Sequence, residues 1–247
     1  MHYALVIGAG HGIGCALVQK LLVDCPHLKI FASYRLEAMS NELQMLSKIY
    51  SDRLEIIPLD PTNETQLQKL STSLMKKNIE LNLVINSVGV LHDEKLSPEK
   101  SLRSFDPVAF LEVIRVNSLV TPLMAKHFEK NLNKTTNSGF VALSAKVGSI
   151  GDNQLGGWYS YRASKAALNM LIKNISIEFK RSKNKCVVLA IHPGTTETQL
   201  SSPFIASTNY KIHSPIETAS NILSVINQRD LTHTGMFLNW DGMEIKW

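Results

Sequence analysis

Short apolar runs alternate with longer segments of helical periodicity along most of the chain. Strands are predicted at 5–7, 29–33, 54–59, 83–85, 139–143, 187–191 and 235–238. Helices are predicted at 12–22, 37–49, 65–76, 105–128, 161–179 and 216–226. Such an alternation is typical of a parallel sheet with helices on both faces. The pattern therefore predicts an α/β fold built on a Rossmann-type, doubly wound parallel sheet of about seven strands.

No repeat, low-complexity tract or linker rich in Pro, Gly or Ser divides the chain. The length of 247 residues suits one α/β domain, and an apolar content of 44% is enough for a sizeable core. We therefore expect a single domain over residues 1–247.

Composition narrows the functional classes. The 26 basic and 21 acidic residues give a net charge of +5, but they are scattered, so we expect no nucleic-acid partner. Cys15, Cys25 and Cys186 form no Cys-x-x-Cys pair, so we expect no metal site and a cytoplasmic, reducing setting. The first apolar run follows Tyr3 directly, which leaves no room for a signal peptide. No apolar run is expected to reach the length of a membrane span, so we expect no membrane association.

Glycines crowd the turn between the first predicted strand and its helix, in the stretch Gly8-Ala9-Gly10-His11-Gly12-Ile13-Gly14. Glycine permits a tight turn and the close approach of a pyrophosphate, and the following helix N-terminus offers free N–H groups. The spacing Gly-x-x-x-Gly-x-Gly differs from the commoner Gly-x-Gly-x-x-Gly. A dinucleotide site is the functional interpretation, and a plain strand–helix turn is the alternative.

Ser33-Tyr34-Arg35 stands at the end of the second predicted strand. Dinucleotide-binding folds place there an acid for a ribose 2′-hydroxyl or an arginine for a 2′-phosphate. No carboxylate precedes Glu37, and a guanidinium matches a phosphate in shape and charge. His11 is expected to add a weaker donor. The cofactor expected is therefore NADP (NADPH), with NAD less favoured, and a solvated strand-end charge is the alternative interpretation of Arg35.

Tyr161 and Lys165 are four residues apart in the stretch Tyr161-Arg162-Ala163-Ser164-Lys165, so they share one face of the predicted helix. A phenol is a proton donor, and a nearby ammonium is expected to lower its pKa from about 10. Next to a dinucleotide, this pair can protonate a carbonyl oxygen while hydride reaches the carbon. Tyr159 does not fit this role, because Ala163 stands four residues after it.

Together these motifs make the chain resemble the short-chain dehydrogenase/reductase family along nearly its whole length. The matching segments are Gly8-x-x-x-Gly12-Ile13-Gly14, Asp60, Asn86-Ser87-Val88-Gly89, Asn117, Tyr161 with Lys165, and Pro193-Gly194-x-x-x-Thr198. The stretches 148–150, 156–165 and 239–247 are similar to the branch that contains C-factor-type signalling proteins and sniffer-type carbonyl reductases. The resemblance implies an NADP-dependent enzyme that reduces a carbonyl to an alcohol.

By this resemblance, the cofactor lies along loops at one edge of the sheet. Asp60 and Pro61 would border the adenine. The segment Asn86 to Gly89 would pack along the adenosine ribose, although Ser87 and Val88 depart from the usual Asn-Asn-Ala-Gly. The segment Pro193-Gly194 to Thr198 would hold the nicotinamide, Thr196 through backbone groups, with Thr198 near the phosphates.

The resemblance also assigns catalytic roles. Lys165 would hydrogen-bond the nicotinamide ribose, and Asn117 would interrupt the long fourth helix and hold a water that links Lys165 to solvent. The family usually has a serine at the end of the fifth strand to bind the substrate oxygen. Counting back from Gly148, that place falls on Ala145. Ser144 is favoured instead, although strand neighbours point to opposite faces. Ser149 is one alternative, and the other is that neither serine binds the substrate and Ser144 is an ordinary surface or core residue.

The leading hypothesis is a carbonyl reductase or alcohol dehydrogenase acting on a small carbonyl or alcohol substrate. The alternative is a C-factor-like signalling or regulatory protein that binds NAD(P) with little turnover. Residues 195–214 are expected to form a substrate lid, in which Phe204, Ile205 and Tyr210 suggest an apolar pocket. Because family members commonly pair the two long helices across a two-fold axis, we expect a homodimer or homotetramer. The apolar stripe considered for this contact comprises Leu168, Leu171, Ile172 and Ile175, and part of it is expected to face the parent sheet.

Overall fold

A seven-stranded sheet forms the centre of the molecule, and all of its neighbouring strands are parallel. The computed structural model describes residues 2–35, 39–132, 138–205 and 211–247. The strands of the sheet are β1 (His2–Ile7), β2 (Leu28–Tyr34), β3 (Leu54–Pro58), β4 (Leu83–Asn86), β5 (Gly139–Leu143), β6 (Val187–His192) and β9 (Met236–Asn239). A separate pair is formed by β7 (Thr195–Thr196) and β8 (Ile212–His213). The predicted doubly wound parallel sheet is confirmed.

Helices cover both faces of this sheet. They are α1 (Gly12–Asp24), α2 (Asn41–Ile49), α3 (Glu64–Lys76), α4 (Pro107–Ile114), α5 (Val120–Phe128), α6 (Tyr159–Arg181), α7 (Ser202–Ile205) and α8 (Pro215–Asn227). Short polar side chains accept a backbone N–H bond where α2, α3, α4 and α8 begin. These cap residues are Ser40, Asn63, Asp106 and Ser214. Such caps satisfy donors that the first helical turn leaves free, and so they fix where each helix begins.

The strand order β3-β2-β1-β4-β5-β6-β9 reverses direction between β1 and β4. In open α/β sheets, ligands bind outside the carboxyl ends of the strands at such a reversal. The glycine-rich turn follows β1, and the segment that begins at Ser87 follows β4. The fold therefore places both predicted cofactor segments at the expected crevice.

Alternate strand residues point into two apolar clusters on opposite faces of the sheet. Val6 packs in the cluster that contains Leu17 of α1 and Ile222 of α8. Leu5 packs in the cluster that contains Phe128 of α5 and Ile172 of α6. Because the central strands are covered on both faces, they read in the sequence as continuous apolar runs.

The long helix predicted at 105–128 is interrupted in the structure. A π-helical turn, Arg115–Leu119, separates α4 from α5. The helix predicted at 37–49 begins at Asn41, and residues 36–38 lie outside the described part of the chain. The helix predicted to begin at Tyr161 starts two residues earlier. The sequence analysis also missed β7, β8 and α7, because these elements are too short for periodicity to detect.

The stretch Pro107–Asn131 corrects the statement that no apolar run reaches the length of a membrane span. By length and composition alone, this one helical stretch among the described residues could cross a membrane. Its residues Val120, Met124 and Phe128 are buried in the core beneath the sheet. Packing in the core therefore accounts for part of its apolar character, and 39% of the stretch is buried.

The apolar stripe predicted on α6 is directed mainly at the core. Leu168, Ile172 and Ile175 are buried against the sheet. The exposed apolar side chains of this helix are instead Met170 and Ile177. These three residues are therefore the part of the stripe that was expected to face the sheet, and they are not available for a subunit contact.

Candidate active site

The glycine-rich turn after β1 is packed too tightly for side chains at two positions. A Cβ atom at Gly14 would lie 2.2 Å from the Gly8 carbonyl oxygen and 2.5 Å from Ser87 Oγ. Gly8 has a φ of +88°, and a Cβ there would lie 3.0 Å from Val88 Cγ2. The turn brings bare backbone to the start of α1, an arrangement that suits a pyrophosphate.

The residues around this turn connect it to the rest of the site. The Gly10 carbonyl accepts a bond of 2.8 Å from the Ser40 N–H, which links the turn to the start of α2. His11 immediately precedes α1, and Ile13 packs against the core. A Cβ atom at Gly12 would lie 3.4 Å from Thr198 Cγ2. Thr198 is therefore next to the glycine-rich turn, while its place near the cofactor phosphates stays a prediction.

A cavity of about 610 Å³ lies outside the carboxyl ends of β2 and β3. Its lining includes Arg35, Asp60 and Lys69, so two cations face one carboxylate. Burial and the charge of Arg35 lower the pKa of His11. Asp60 Oδ1 accepts bonds from the Thr62 N–H at 2.9 Å and the Thr62 hydroxyl at 2.7 Å, so this carboxylate also caps the turn in which Pro61 is buried. The cavity has the size and the charges to hold an adenosine with a phosphate on its ribose.

The segment after β4 joins the cofactor end of the crevice to its catalytic end. Asn86 is buried, donating to Thr121 Oγ1 at 2.8 Å and accepting from the Val88 N–H at 3.0 Å. A Cβ atom at Gly89 would lie 3.6 Å from Asn117 Oδ1 and 3.7 Å from Lys165 Nζ. Gly89 therefore borders both the cofactor crevice and the predicted catalytic side chains.

The π-helical turn sets the position of Asn117. Its amide oxygen accepts from the Val90 N–H at 2.7 Å, and its amide nitrogen donates to the Val90 carbonyl at 2.9 Å and to Ser164 Oγ at 3.0 Å. Ser118 Oγ donates to the Ser164 carbonyl at 2.7 Å. The interruption of the long helix at Asn117 is thus observed, and π-turns of this kind are frequent at functional sites. The bridging water stays a prediction.

Tyr161 and Lys165 lie on one face of α6, as predicted. Lys165 Nζ donates to the Leu143 carbonyl at the end of β5 at 3.0 Å and lies 5.8 Å from the centre of the Tyr161 ring. Burial raises the pKa of Tyr161 to about 12 and lowers the pKa of Lys165 to about 8. The shift of the phenol pKa in this structure is therefore upward, opposite to the prediction, and burial is its cause. At neutral pH the phenol keeps its proton, the state that a proton donor needs.

The two candidate serines are both held by other parts of the protein. Ser144 Oγ donates to Asn169 Oδ1 on α6 at 2.6 Å, in the buried space between sheet and helix. Ser149 Oγ donates to the Lys246 carbonyl at 2.6 Å. Ala145, at the position the family pattern indicates, has no hydroxyl. These contacts do not favour Ser144 or Ser149 as the donor to a substrate oxygen, and their assignment stays a prediction.

The segment after β6 borders the crevice together with the turn after β1 and the segment after β4. Gly194, which follows Pro193, has a φ of +79°, and a Cβ there would lie 2.9 Å from Trp240 Cδ1. Thr196 Oγ1 bonds to Thr218 Oγ1 on α8 at 2.8 Å, and the Thr196 carbonyl accepts from the Ser201 hydroxyl. The predicted lid continues through α7 and β8, and Phe204 and Ile205 are half-buried there. Tyr210 lies outside the described residues.

Three residues near the site were missed by the sequence analysis. His192 ends β6; burial and the charges of Lys146 and Lys165 lower its pKa to about 4, so its ring is neutral at pH 7. The buried side chain of Glu99 packs against the start of α6, and its carboxylate accepts from the Ser160 N–H and hydroxyl. Trp158 precedes α6 with a left-handed backbone, and its ring lies 6.1 Å from that of Tyr161. The only signal in the sequence was the Gly156-Gly157 pair, which marks an unusual turn before Trp158.

Comparison with known proteins identifies the family. The profile of the short chain dehydrogenases matches residues 2–208. The chain belongs to the short-chain dehydrogenase family. It is thus an oxidoreductase of a family whose fold binds a nicotinamide cofactor.

Solved structures and curated relatives agree with this assignment. The carbonyl reductase Sniffer of D. melanogaster superposes with a TM-score of 0.87 at 24% identity, over 100% of both chains. The NADPH-bound carbonyl reductase from chicken fatty liver has a TM-score of 0.85 at 27% identity, over 100% of this chain and 99% of that one.

Two curated relatives match at the level of sequence. A 1-hydroxy-2-glutathionyl-2-methyl-3-butene dehydrogenase of Rhodococcus sp. (strain AD45) is 29% identical over 189 residues, 76% of this chain and 78% of the relative. The C-signal protein of Myxococcus xanthus is 30% identical over 105 residues, 42% of this chain and 58% of that protein. The resemblance to the short-chain dehydrogenase/reductase family is confirmed, and Sniffer and the C-signal protein are among the proteins that this chain is similar to.

The lowered pKa of Lys165 predicts a pH-dependent difference in stability between the wild type and Lys165→Met. The folded protein holds this amine at a pKa of about 8, against 10.5 ordinarily, so between these values the unfolded chain binds more protons. The free energy of unfolding of the wild type should therefore rise relative to the variant with increasing pH. From about pH 7.5 to 9.5 the expected gain is about 2 kcal/mol, measured by urea denaturation at each pH.

Lys180→Met is the matched control, because Lys180 is an exposed lysine on the same helix. The difference between wild type and this control should stay constant over the same interval. A constant difference for Lys165→Met as well would contradict the lowered pKa.

Proposed function

We propose that the protein is an NADPH-dependent carbonyl reductase in which Tyr161 protonates the substrate oxygen. The main observation in support is the convergence of Tyr161, Lys165 and Asn117 next to Gly89. These residues adjoin a glycine-rich turn in which close packing leaves no room for a side chain at Gly14. A proton donor next to a dinucleotide crevice is the arrangement that carbonyl reduction requires.

The residues present fit NADPH. The turn from Gly8 to Gly14 would hold the pyrophosphate, and the cavity lined by Arg35, Asp60 and Lys69 would hold the adenosine with its 2′-phosphate. Bound NADPH supplies the hydride that adds to the carbonyl carbon. The NADPH-bound carbonyl reductase from chicken fatty liver has a closely similar fold, which favours NADPH over NADH for this chain.

The protein's own part of the reaction is the delivery of one proton. Tyr161 donates the phenolic proton to the substrate oxygen as that oxygen gains negative charge. Lys165 lies beside the ring and places a positive charge near the phenolate that results. Because Ala145 supplies no hydroxyl, the phenol is the principal hydrogen-bond donor that these side chains offer to the substrate oxygen.

A signalling or regulatory protein that binds NADP with little turnover is the second candidate. Two observations favour it: the absence of a hydroxyl at Ala145 and the similarity to the C-signal protein over 42% of this chain. Turnover separates the two candidates. NADPH binding without reduction of any member of a broad panel of aldehydes, ketones and quinones would favour the signalling function.

A homodimer is a further part of the proposal. Leu111 on α4 is 65% exposed, and Met170 on the neighbouring α6 is 62% exposed. Leu119 follows Leu111 by about two helical turns, and Ile177 follows Met170 by about the same distance. Both side chains are exposed, so they lengthen the apolar surface. A second copy, related by two-fold symmetry, would cover this apolar surface on both subunits.

The first prediction of the proposal concerns cofactor choice. NADPH should bind at least about tenfold more tightly than NADH, because the Arg35 guanidinium pairs with the 2′-phosphate. Arg35→Ala should remove most of this preference while the Kd for NADH changes little, as measured by calorimetric titration. Lys76→Ala is the control for net charge, because Lys76 is exposed at the far end of α3. Equal affinity of the wild type for the two cofactors would contradict the assignment.

The second prediction concerns the proton donor. Tyr161→Phe keeps the aromatic ring and removes the hydroxyl, so reduction of a carbonyl substrate should fall at least about 100-fold. NADPH binding should be retained, since the cofactor crevice is unchanged. Both are measured on the same preparation, by cofactor oxidation and by calorimetry. Equal rates for the wild type and the variant would exclude Tyr161 as the donor.

The third prediction concerns assembly. Light scattering of the wild type should give twice the monomer mass of 27.5 kDa. Leu111→Glu should give the monomer, because a buried carboxylate opposes the contact. Val23→Glu is the matched control, since Val23 is an exposed apolar residue on α1, across the sheet, and it should remain dimeric. A wild type that is monomeric at micromolar concentration would refute the dimer.

A further inference from the structure

The residues before the catalytic helix adopt an unusual backbone. Gly156, Gly157 and Trp158 have φ angles of +63°, +62° and +49°. Glycine adopts the left-handed region freely, but a tryptophan does so only under constraint from its surroundings. Residues held in such conformations cluster at functional sites. Trp158 is therefore a large aromatic residue in a backbone conformation that favours glycine.

Several hydrogen bonds hold Trp158 in place. Its N–H donates to the Glu99 main-chain carbonyl, and its own carbonyl accepts from the Arg162 N–H at 2.8 Å. The Glu99 carboxylate, which is buried, accepts from the Ser160 N–H at 3.1 Å and from the Ser160 hydroxyl. Arg162 Nε donates to the carbonyls of Gly156 and Gly157 at 3.1 Å each. These contacts fix the direction in which the indole leaves the backbone.

The indole that results stands between the candidate proton donor and the lid. Its ring centre lies 6.1 Å from that of Tyr161 and 5.2 Å from that of Phe204, and both contacts are edge-on. Phe204 lies on α7 and also makes an edge contact of 5.5 Å with the ring of His92. Trp158 and Phe204 are half-buried, so parts of both rings remain accessible. The lid and the catalytic helix thus form one aromatic wall beside the phenol.

We infer that Trp158, with Phe204, determines the substrate preference of the proposed reductase for carbonyls that carry a planar, aromatic substituent. Because the indole lies 6.1 Å from the Tyr161 ring and 5.2 Å from the Phe204 ring, a carbonyl bound at the phenol would bring a substituent to these two rings. Aromatic groups pack on such rings with offset or edge-on geometry, whereas a short alkyl group gains less contact. The inference rests on the proposed function, since it assigns the substrate class of that same site.

The test compares benzaldehyde with propanal, using NADPH, in the wild type and in Trp158→Gly. Glycine adopts the left-handed backbone without strain, so this variant removes the ring and keeps the turn. The wild-type kcat/KM should be at least about tenfold higher for benzaldehyde than for propanal, the factor by which one well-packed ring contact can discriminate. In Trp158→Gly the value for benzaldehyde should fall about tenfold, and that for propanal should stay within about threefold.

Two further variants make the result specific. Phe204→Leu removes the opposite ring of the wall and should also lower the preference for benzaldehyde, whether or not Trp158→Gly folds. Tyr159→Leu is the matched control, because the Tyr159 ring contacts Phe105, 6.5 Å away, instead of Tyr161. This control should keep the wild-type ratio.

The outcomes separate this inference from the proposed function. Equal losses for the two aldehydes in both Trp158→Gly and Phe204→Leu would mean that these rings serve only the fold, and would overturn the inference alone. Wild-type kcat/KM values for both aldehydes in both variants would overturn it as well. A wild type that binds NADPH but reduces neither these aldehydes nor any other carbonyl would overturn the proposed function and the inference together.

Discussion

Buried hydrogen bonds fasten the first two turns of α6 to the sheet and to the π-helical turn, and the rest of the candidate site depends on them. The Ser164 carbonyl accepts from Ser118, and the Ser164 hydroxyl accepts from Asn117. Lys165 reaches across to the end of β5. A Cβ atom at Gly148 would lie 2.7 Å from Lys165 Cβ, so only glycine lets the loop after β5 pass this close. Moving α6 would leave these buried polar groups unpaired, which is costly. The bonds therefore hold the helix, and Tyr161 on it, in one position.

The burial that fixes these side chains also sets their protonation. The pKa of Tyr161 is about 12, so this phenol is neutral over the whole physiological pH range. The pKa of Lys165 is about 8, so its amine titrates close to that range. His192 is neutral because burial lowers its pKa to about 4. The site therefore combines a protonated phenol, an ammonium and a neutral imidazole at pH 7. This set suits proton donation to an oxygen that gains charge, although Ala145 leaves that oxygen without the usual hydroxyl donor.

The sequence predicted those parts of the molecule that depend on local pattern. The strands are continuous apolar runs because helices cover both faces of the sheet, and the glycine turn is recognisable because the packing at Gly8 and Gly14 excludes side chains. Tyr161 and Lys165 were identifiable because a helix brings residues four apart onto one face.

The parts that the sequence did not predict depend on long-range contacts. Glu99 acts on Ser160, 61 residues away, and Ser144 bonds to Asn169, 25 residues away, so no local pattern could reveal either contact. The direction of the Tyr161 pKa shift depends on how deeply the side chain is buried, and the sequence alone does not give this burial. Periodicity identified the apolar stripe on α6 but could not indicate how much of it the sheet covers, so the exposed positions Met170 and Ile177 became visible only in the structure.

The most direct test of the central claim is to follow hydride from the cofactor to the product. The wild type is supplied with NADPH deuterated at the transferable C4 position and with a panel of carbonyl compounds, and the alcohols are analysed by mass spectrometry. The account predicts one deuterium on the carbinol carbon of the product, with the hydroxyl hydrogen derived from solvent. Bound cofactor that yields no deuterated alcohol with any carbonyl of the panel would contradict it.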